Sequence, residues 1–190
     1  MKIIFRHLWQ ILSVFALFLV IFGFFYFETS TILRVLVIVL GLLGLATTRS
    51  TSEILVLLIY YLGLYDFYNI RYGLAIPLFL IILAVFGLTI FVFYLWVYFQ
   101  KLPQGQNKNL LRLYLVTAGL MAMEIFLTMS FWPVEPKVKS LVIVIVFYII
   151  ARIFYLYINN VLNLKKTVIF ILISLLILGA VLAFNMFFGF

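Results

Sequence analysis

Seven apolar stretches occupy almost the whole chain, and only short polar connections separate them. An apolar helix of about 20 residues is enough to cross the hydrocarbon layer of a membrane. Soluble domains carry about 25% charged residues, whereas this chain carries 9% and has a mean hydropathy of +1.35. No soluble core of this size could bury so much apolar surface. The pattern therefore predicts an all-α fold, a polytopic transmembrane helix bundle of about seven spans.

The polar connections divide this bundle into spans of unequal length within a single integral membrane domain, residues 1–190. The second and third spans are short, so five full spans plus a re-entrant hairpin formed by those two are the alternative. The polar turn at 28–31 is expected to cap the second helix, because serine and threonine accept hydrogen bonds from free N–H groups there. The predicted spans are 8–27, 32–46, 54–68, 73–99, 110–132, 141–162 and 167–190.

The distribution of basic residues predicts the orientation, because lysine and arginine collect on the cytoplasmic side of membrane proteins. With the amino terminus inside, eight basic residues fall on inner loops and four on outer loops. Seven spans then put the carboxyl terminus outside. The inner residues are Lys2, Arg6, Arg49, Lys101, Lys108, Arg112, Lys165 and Lys166, and the outer ones are Arg34, Arg71, Lys137 and Lys139.

Several chemistries are disfavoured by composition. The chain has no cysteine and one histidine, which argues against disulfides, thiol catalysis and soft-metal sites. Its net charge of +8 comes from basic residues scattered in ones and twos, unlike the clustered footprint of nucleic-acid binders. We therefore expect no metal, no cofactor and no nucleic-acid partner.

Two charged residues lie deep within predicted spans, Glu124 in the fifth and Arg152 in the sixth. Neighbouring antiparallel helices would place both at similar depth, and pairing would offset the cost of each charge in lipid. Polar residues recur on one face of each helix and predict a polar seam around the pair. This seam either locks the helices together or binds a ligand or proton. Its members are Glu124, Arg152, Tyr148, Tyr155, Asn159, Thr117 and Thr128.

A second, weaker candidate is the segment 65–72, which mixes aromatic residues with two opposite charges. Such a cluster is typical of a membrane–water boundary, and it is also suited to a lipid headgroup or sugar. The ordinary interfacial belt is the favoured interpretation. The cluster consists of Tyr65, Asp66, Tyr68, Arg71 and Tyr72.

Three functions from different classes fit these residues. The leading hypothesis is a non-catalytic scaffold or subunit whose partners are the bilayer and other membrane proteins. The alternative is a carrier or substrate-binding subunit that holds a small amphiphile or lipid in the Glu124–Arg152 seam. A lipid-modifying enzyme ranks third, because catalysis requires several convergent polar groups. The composition, rich in Phe, Ile and Tyr and free of Cys, favours a prokaryotic cytoplasmic membrane.

Overall fold

The computed structural model describes residues 2–46, 52–74, 76–100, 108–159 and 163–188. Within these ranges the regular structure is entirely helical, which confirms the predicted all-α class, and seven α-helices are present. In chain order they are α1 (Lys2–Phe27), α2 (Thr31–Ala46), α3 (Ser52–Leu74), α4 (Leu78–Phe99), α5 (Lys108–Ser130), α6 (Pro136–Ile158) and α7 (Leu164–Phe188).

Four of the helices, α3 to α6, are long and apolar enough to cross a membrane. The qualifying segments are 22 or 23 residues long, which corresponds to about 33 Å at 1.5 Å per residue. In the described parts of α1, α2 and α7, the apolar helical segments are shorter: Ile11–Phe27, Thr31–Leu42 and Thr167–Ala180. These four long apolar helices support association with a membrane.

The helix boundaries differ from the predicted spans mainly around α3 and near prolines. The helix α3 continues to Leu74, so the segment 65–72 is helical and belongs to the bundle. Pro77 precedes α4 as its N-cap and Pro136 lies at the start of α6, where a residue without an N–H costs least. Of the polar connection predicted at 100–109, residues 101–107 lie outside the described residues, and α5 already begins at Lys108. The predicted span ends at 162 and 190 and the basic residues Arg49 and Lys101 also lie outside them.

The centre of the bundle is α3, which packs against α1, α2, α4 and α6. It is the least hydrophobic of the four long helices and also the most buried. Its aromatic side chains meet those of α1, α5 and α6 in the core. The largest side chains with less than 2% exposure include Trp96, Tyr60, Tyr68, Phe93, Phe126 and Phe154.

Glycine allows α4 and α5 to approach closely. A Cβ atom on Gly119 would lie 2.5 Å from Cε2 of the Phe86 ring, which is too close for any real side chain. Gly87, one residue further along α4 than Phe86, has no neighbouring atom within 4 Å of the corresponding position. The absence of a side chain therefore matters at Gly119 and not at Gly87.

These two glycines provide a matched test of helix packing. We expect Gly119→Ala to lower the unfolding free energy by about 1–3 kcal/mol, because the added methyl overpacks the α4–α5 contact. Gly87→Ala should be neutral or should stabilise by up to about 1 kcal/mol, because alanine favours the helix and meets open space. Thermal unfolding in detergent measures both, and equal effects would contradict the packing described for Gly119.

Candidate functional site

The structure does not bring Glu124 and Arg152 together. Glu124 lies on an exposed face of α5, and Arg152 is half-buried on α6, where its guanidinium lies 5.3 Å from the ring centroid of Tyr155. The one salt bridge among the described residues joins other side chains, Lys137 and Glu28. The two charges of the predicted seam are therefore separate groups.

Helix rotation explains the separation. The faces of α5 and α6 that meet enclose a small crevice with an entirely apolar lining. Since each residue turns a helix by about 100°, Glu124 points well away from Ala118 and Ala122, and Arg152 points well away from Phe147. The crevice is lined by Ala118, Ala122, Ile125, Ile143, Val146, Phe147 and Ile150.

The other residues of the predicted seam are also distributed over different surfaces. Thr117 and Thr128 are exposed on α5, and their hydroxyls donate to the carbonyls of Leu113 and Glu124, one helical turn earlier. On α6, the ring of Tyr148 packs against Phe170 of α7. Two further members lie at the end of α6: Tyr155 contacts Trp96, and the Asn159 side chain donates to the Tyr155 carbonyl.

Polar groups instead converge at one end of the bundle, where α1, α3 and α5 finish and α6 begins. This end, called the polar end below, includes all five residues of the predicted interfacial cluster. It also includes residues from the 28–31 turn and from the first turn of α6. Its members are Glu28, Ser30, Tyr65, Asp66, Tyr68, Arg71, Tyr72, Ser130, Lys137 and Lys139.

Glu28 connects three elements at the polar end although only 3% of it is exposed. Its Oε1 accepts a hydrogen bond from the Ser30 N–H at 2.9 Å. Its Oε2 accepts one from the Tyr65 hydroxyl at 3.2 Å and lies 3.0 Å from Lys137 Nζ. Burial raises the pKa of Glu28, but these hydrogen bonds and the charge of Lys137 outweigh it, so the pKa lies below its usual value. Glu28 is thus held as a carboxylate that ties the α1–α2 turn to α3 and α6.

The same turn confirms the predicted cap of the second helix. Ser30 directly precedes α2, and its Oγ accepts from the Leu33 N–H at 3.5 Å. Arg34, in the first turn of α2, donates to the carbonyl of Phe25 at 2.9 Å. A cation at the last carbonyls of α1 is favourable because that terminus carries the negative end of the helix dipole.

Lys139 is the centre of a second group at the polar end and is 3% exposed. Its Nζ donates to the Tyr72 hydroxyl at 2.8 Å and faces the rings of Tyr68 and Tyr72 at 5.6 and 5.0 Å. Tyr72 in turn donates to the Ser130 carbonyl, and Tyr68 stacks on Phe126. These contacts connect α3 to the end of α5 and the start of α6.

Two charged residues of α3, Asp66 and Arg71, have no oppositely charged partner among the described residues. Nη1 of Arg71 is buried without a hydrogen bond, and its guanidinium packs on the rings of Tyr72 and Phe131. Asp66 is 7% exposed and its Oδ1 has no hydrogen-bond partner. Its carboxyl occupies the space that a side chain at Gly23 of α1 would fill.

Sequence reasoning missed the participation of Glu28, Lys137 and Lys139 in this site. A usable signal was present, because the 28–31 turn, the 65–72 segment and the 133–140 turn are all assigned to the same side by the predicted topology. An ordinary interfacial belt requires no specific partners. That interpretation of 65–72 therefore predicts no contact between this segment and the two turns.

The fold and the site together define a class: an α-helical bundle with four helices of membrane-crossing length and a polar, aromatic cluster at one end. Comparison with known proteins adds no family, because neither a family model, nor a curated protein, nor a solved structure matches the chain. Among the described residues, no group of three His, Cys, Asp or Glu side chains is placed to hold a metal ion.

The separation of Glu124 and Arg152 gives a measurable expectation. Substitutions at distant sites add to within about 0.3–0.5 kcal/mol, so the losses of stability caused by Glu124→Ala and Arg152→Ala should sum in the double variant. A double-mutant cycle of thermal unfolding in detergent measures this. A coupling energy above about 1 kcal/mol would mean that the two side chains interact after all.

Glu28→Gln should lower the unfolding free energy by about 1–3 kcal/mol, the usual range for buried hydrogen bonds to a charged group. Tyr65→Phe is the control that removes only one of these bonds, and its effect should be smaller. The two variants are compared by thermal unfolding at neutral pH.

The depressed pKa of Glu28 also predicts a pH dependence. Because the folded pKa lies below the unfolded value near 4.5, its stabilisation is complete above that pH and is lost as the pH falls through the folded pKa. The wild-type melting temperature should therefore fall more steeply on acidification below pH 4.5 than that of Glu28→Gln. Parallel profiles for the two proteins would contradict this assignment.

Proposed function

We propose that this protein is a non-catalytic, multi-pass integral membrane protein that serves as a helical subunit of a membrane assembly. The observation that carries the proposal is the exposed carboxylate of Glu124 on the flank of α5, a helix of membrane-crossing length. Around it, the apolar side chains of Leu120 and Leu127 are 49% and 37% exposed, and the hydroxyls of the exposed Thr117 and Thr128 are bonded within the helix. No described residue donates a hydrogen bond to this carboxylate.

The energy of an ionisable group in lipid explains why Glu124 supports a subunit role. A charged side chain in the middle of a membrane helix costs about 2.5–3.5 kcal/mol on insertion scales, and such residues usually face protein. Glu124 is exposed, and its carboxylate has no hydrogen bond or salt bridge with the described part of this chain. A partner membrane helix that offers a cation or a hydrogen-bond donor would offset the cost, and polar contacts of this kind do join membrane helices.

The packed interior supports a non-catalytic role over the two other hypotheses. Large side chains such as Tyr60, Phe93 and Trp96 fill the space between α3, α4 and α6. The small-amphiphile carrier depended on a shared Glu124–Arg152 seam, and the structure separates these residues. A lipid-modifying enzyme with Glu124 as its acid or base would need further polar groups around that carboxylate.

The proposal includes the predicted topology, with the amino terminus in the cytoplasm of a prokaryotic cell and the carboxyl terminus outside after seven spans. The eight-to-four distribution of basic residues supports this orientation. The meeting of the ends of α1, α3 and α5 with the start of α6 at the polar end supports an alternating path of these helices. In this orientation the polar end faces the outer leaflet.

A photo-crosslinking residue at Leu127, on the same side of α5 as Glu124, tests the subunit role in native membranes. We expect a discrete protein adduct, and we expect Glu124→Leu to reduce its yield severalfold because the partner helix loses its polar contact. Glu124→Gln should retain part of the yield, since an amide still offers hydrogen bonds.

The matched control places the same crosslinker at Phe79, which is 62% exposed on α4. That position should yield lipid adducts and no discrete protein adduct. Lipid adducts alone at Leu127, or a protein adduct that Glu124→Leu leaves unchanged, would contradict a partner at this face.

A further inference from the structure

We infer that the polar end contains a binding site for a phosphate anion, supplied either by the headgroup of an anionic membrane lipid or by free phosphate. The side chains that form it are Arg71, Tyr72, Phe131 and Lys139, and we call them the phosphate cluster. This inference rests on the proposed insertion in a membrane but not on the proposed partner at Glu124.

Arg71 and Lys139 carry positive charge that no nearby carboxylate balances. Arg71 and Lys139 both contact the ring of Tyr72, at 5.4 and 5.0 Å from its centroid. Neither cation has a carboxylate partner among the described residues, where the one acidic side chain in a salt bridge is Glu28, bound to Lys137. Two cations gathered on one ring without an anion create a local potential that attracts negative charge.

The burial of Lys139 also favours an anion at this site. A lysine that is 3% exposed loses most of its hydration, and cation–π contacts replace only part of it. Its Nζ already donates to Tyr72, whose own hydroxyl hydrogen is donated to Ser130. Tyr72 thus holds the lysine in place without neutralising it, and an anion nearby would complete the compensation.

The surroundings of Arg71 suit a phosphate ligand. Its Cζ lies 5.4 Å from the ring centroid of Tyr72 and 5.7 Å from that of Phe131, and its Nη1 is buried without a hydrogen-bond partner. These aromatic contacts use none of the N–H donors, and Arg71 as a whole is partly exposed. This planar set of donors matches the oxygens of a phosphate, often through two parallel hydrogen bonds. Arg71 is therefore the direct ligand, and Lys139 contributes its charge.

The surroundings suit a lipid more than a free ion. Phe131 is 73% exposed and Tyr72 is 51% exposed, so aromatic rings border the cations at the end of long apolar helices. Aromatic residues in this position lie at the level of lipid headgroups. A phosphodiester bound at Arg71 would leave its acyl chains beside the apolar flank of α5.

Binding is tested with purified protein in detergent by adding phosphatidylglycerol or, as the zwitterionic comparison, phosphatidylcholine with the same acyl chains. Native mass spectrometry counts the bound lipid, and thermal unfolding gives the stabilisation. We expect preferential retention of phosphatidylglycerol, and a loss of affinity of about tenfold or more in Arg71→Gln, because a charge-assisted hydrogen bond is removed. Arg71→Lys should recover part of the affinity, since it restores the charge without the planar donors.

Lys137→Gln is the matched control. Lys137 lies two residues before Lys139 in α6 but is already paired with Glu28. It should leave the affinity for phosphatidylglycerol unchanged, whereas Lys139→Gln should lower it. If Lys139→Gln fails to fold, the two variants of the partly exposed Arg71 still test whether the phosphate cluster binds the lipid.

Inorganic phosphate alone distinguishes the two sources of the anion. Stabilisation by millimolar phosphate equal to that by phosphatidylglycerol, and lost in Arg71→Gln, would identify free phosphate as the ligand. Equal retention of both lipids by the wild type, or equal affinity for phosphatidylglycerol in Arg71→Gln and Lys137→Gln, would overturn the site. None of these outcomes depends on a partner at Glu124, so the two proposals fail separately.

Discussion

The least hydrophobic of the four long helices, α3, is buried among more apolar ones. α3 packs against α1, α2, α4 and α6, and it carries the tyrosines that make the hydrogen bonds between helices. Without water, each of these hydroxyls needs a protein partner. Tyr60 pairs with Thr89 of α4, Tyr65 with Glu28 and Tyr72 with Ser130. The position of α3 therefore determines which groups of the neighbouring elements must be polar, and where.

The sequence predicted the helical class well because a membrane helix is defined by length and polarity along the chain, which are local properties. The α2 boundaries and the Ser30 cap illustrate this: a polar turn before an apolar run has one reasonable interpretation. The end of α3 was predicted less well. The tyrosines and charges of 65–72 resemble a membrane boundary. They continue the helix instead, and the tyrosine hydroxyls bond to neighbouring elements that lie far away in the sequence.

The predicted seam failed to assemble for a different physical reason. In a soluble protein the buried face of a helix is its apolar face, so periodicity reveals it. In lipid both faces are apolar, and small residues such as Ala118 and Ala122 mark the contact between helices better than polar ones do. The stripe containing Thr117, Glu124 and Thr128 was a real feature of α5, but it lies on the outside of the bundle. A polar stripe looks the same in the sequence whether the helix that contacts it belongs to the same chain or to another protein.

The charges of this protein thus form two groups with opposite consequences. At Glu28 the carboxylate is satisfied by Ser30, Tyr65 and Lys137, so its charge contributes to holding elements together. At Arg71 and Glu124 the structure supplies no oppositely charged partner among the described residues, although both lie on helices of membrane-crossing length. An unpaired charge in such a place costs free energy, and folding of the chain alone does not recover it. The external contacts of the protein are therefore best sought where its own charges are left unpaired, at the polar end for an anion and on the outer face of α5 for a neighbouring helix.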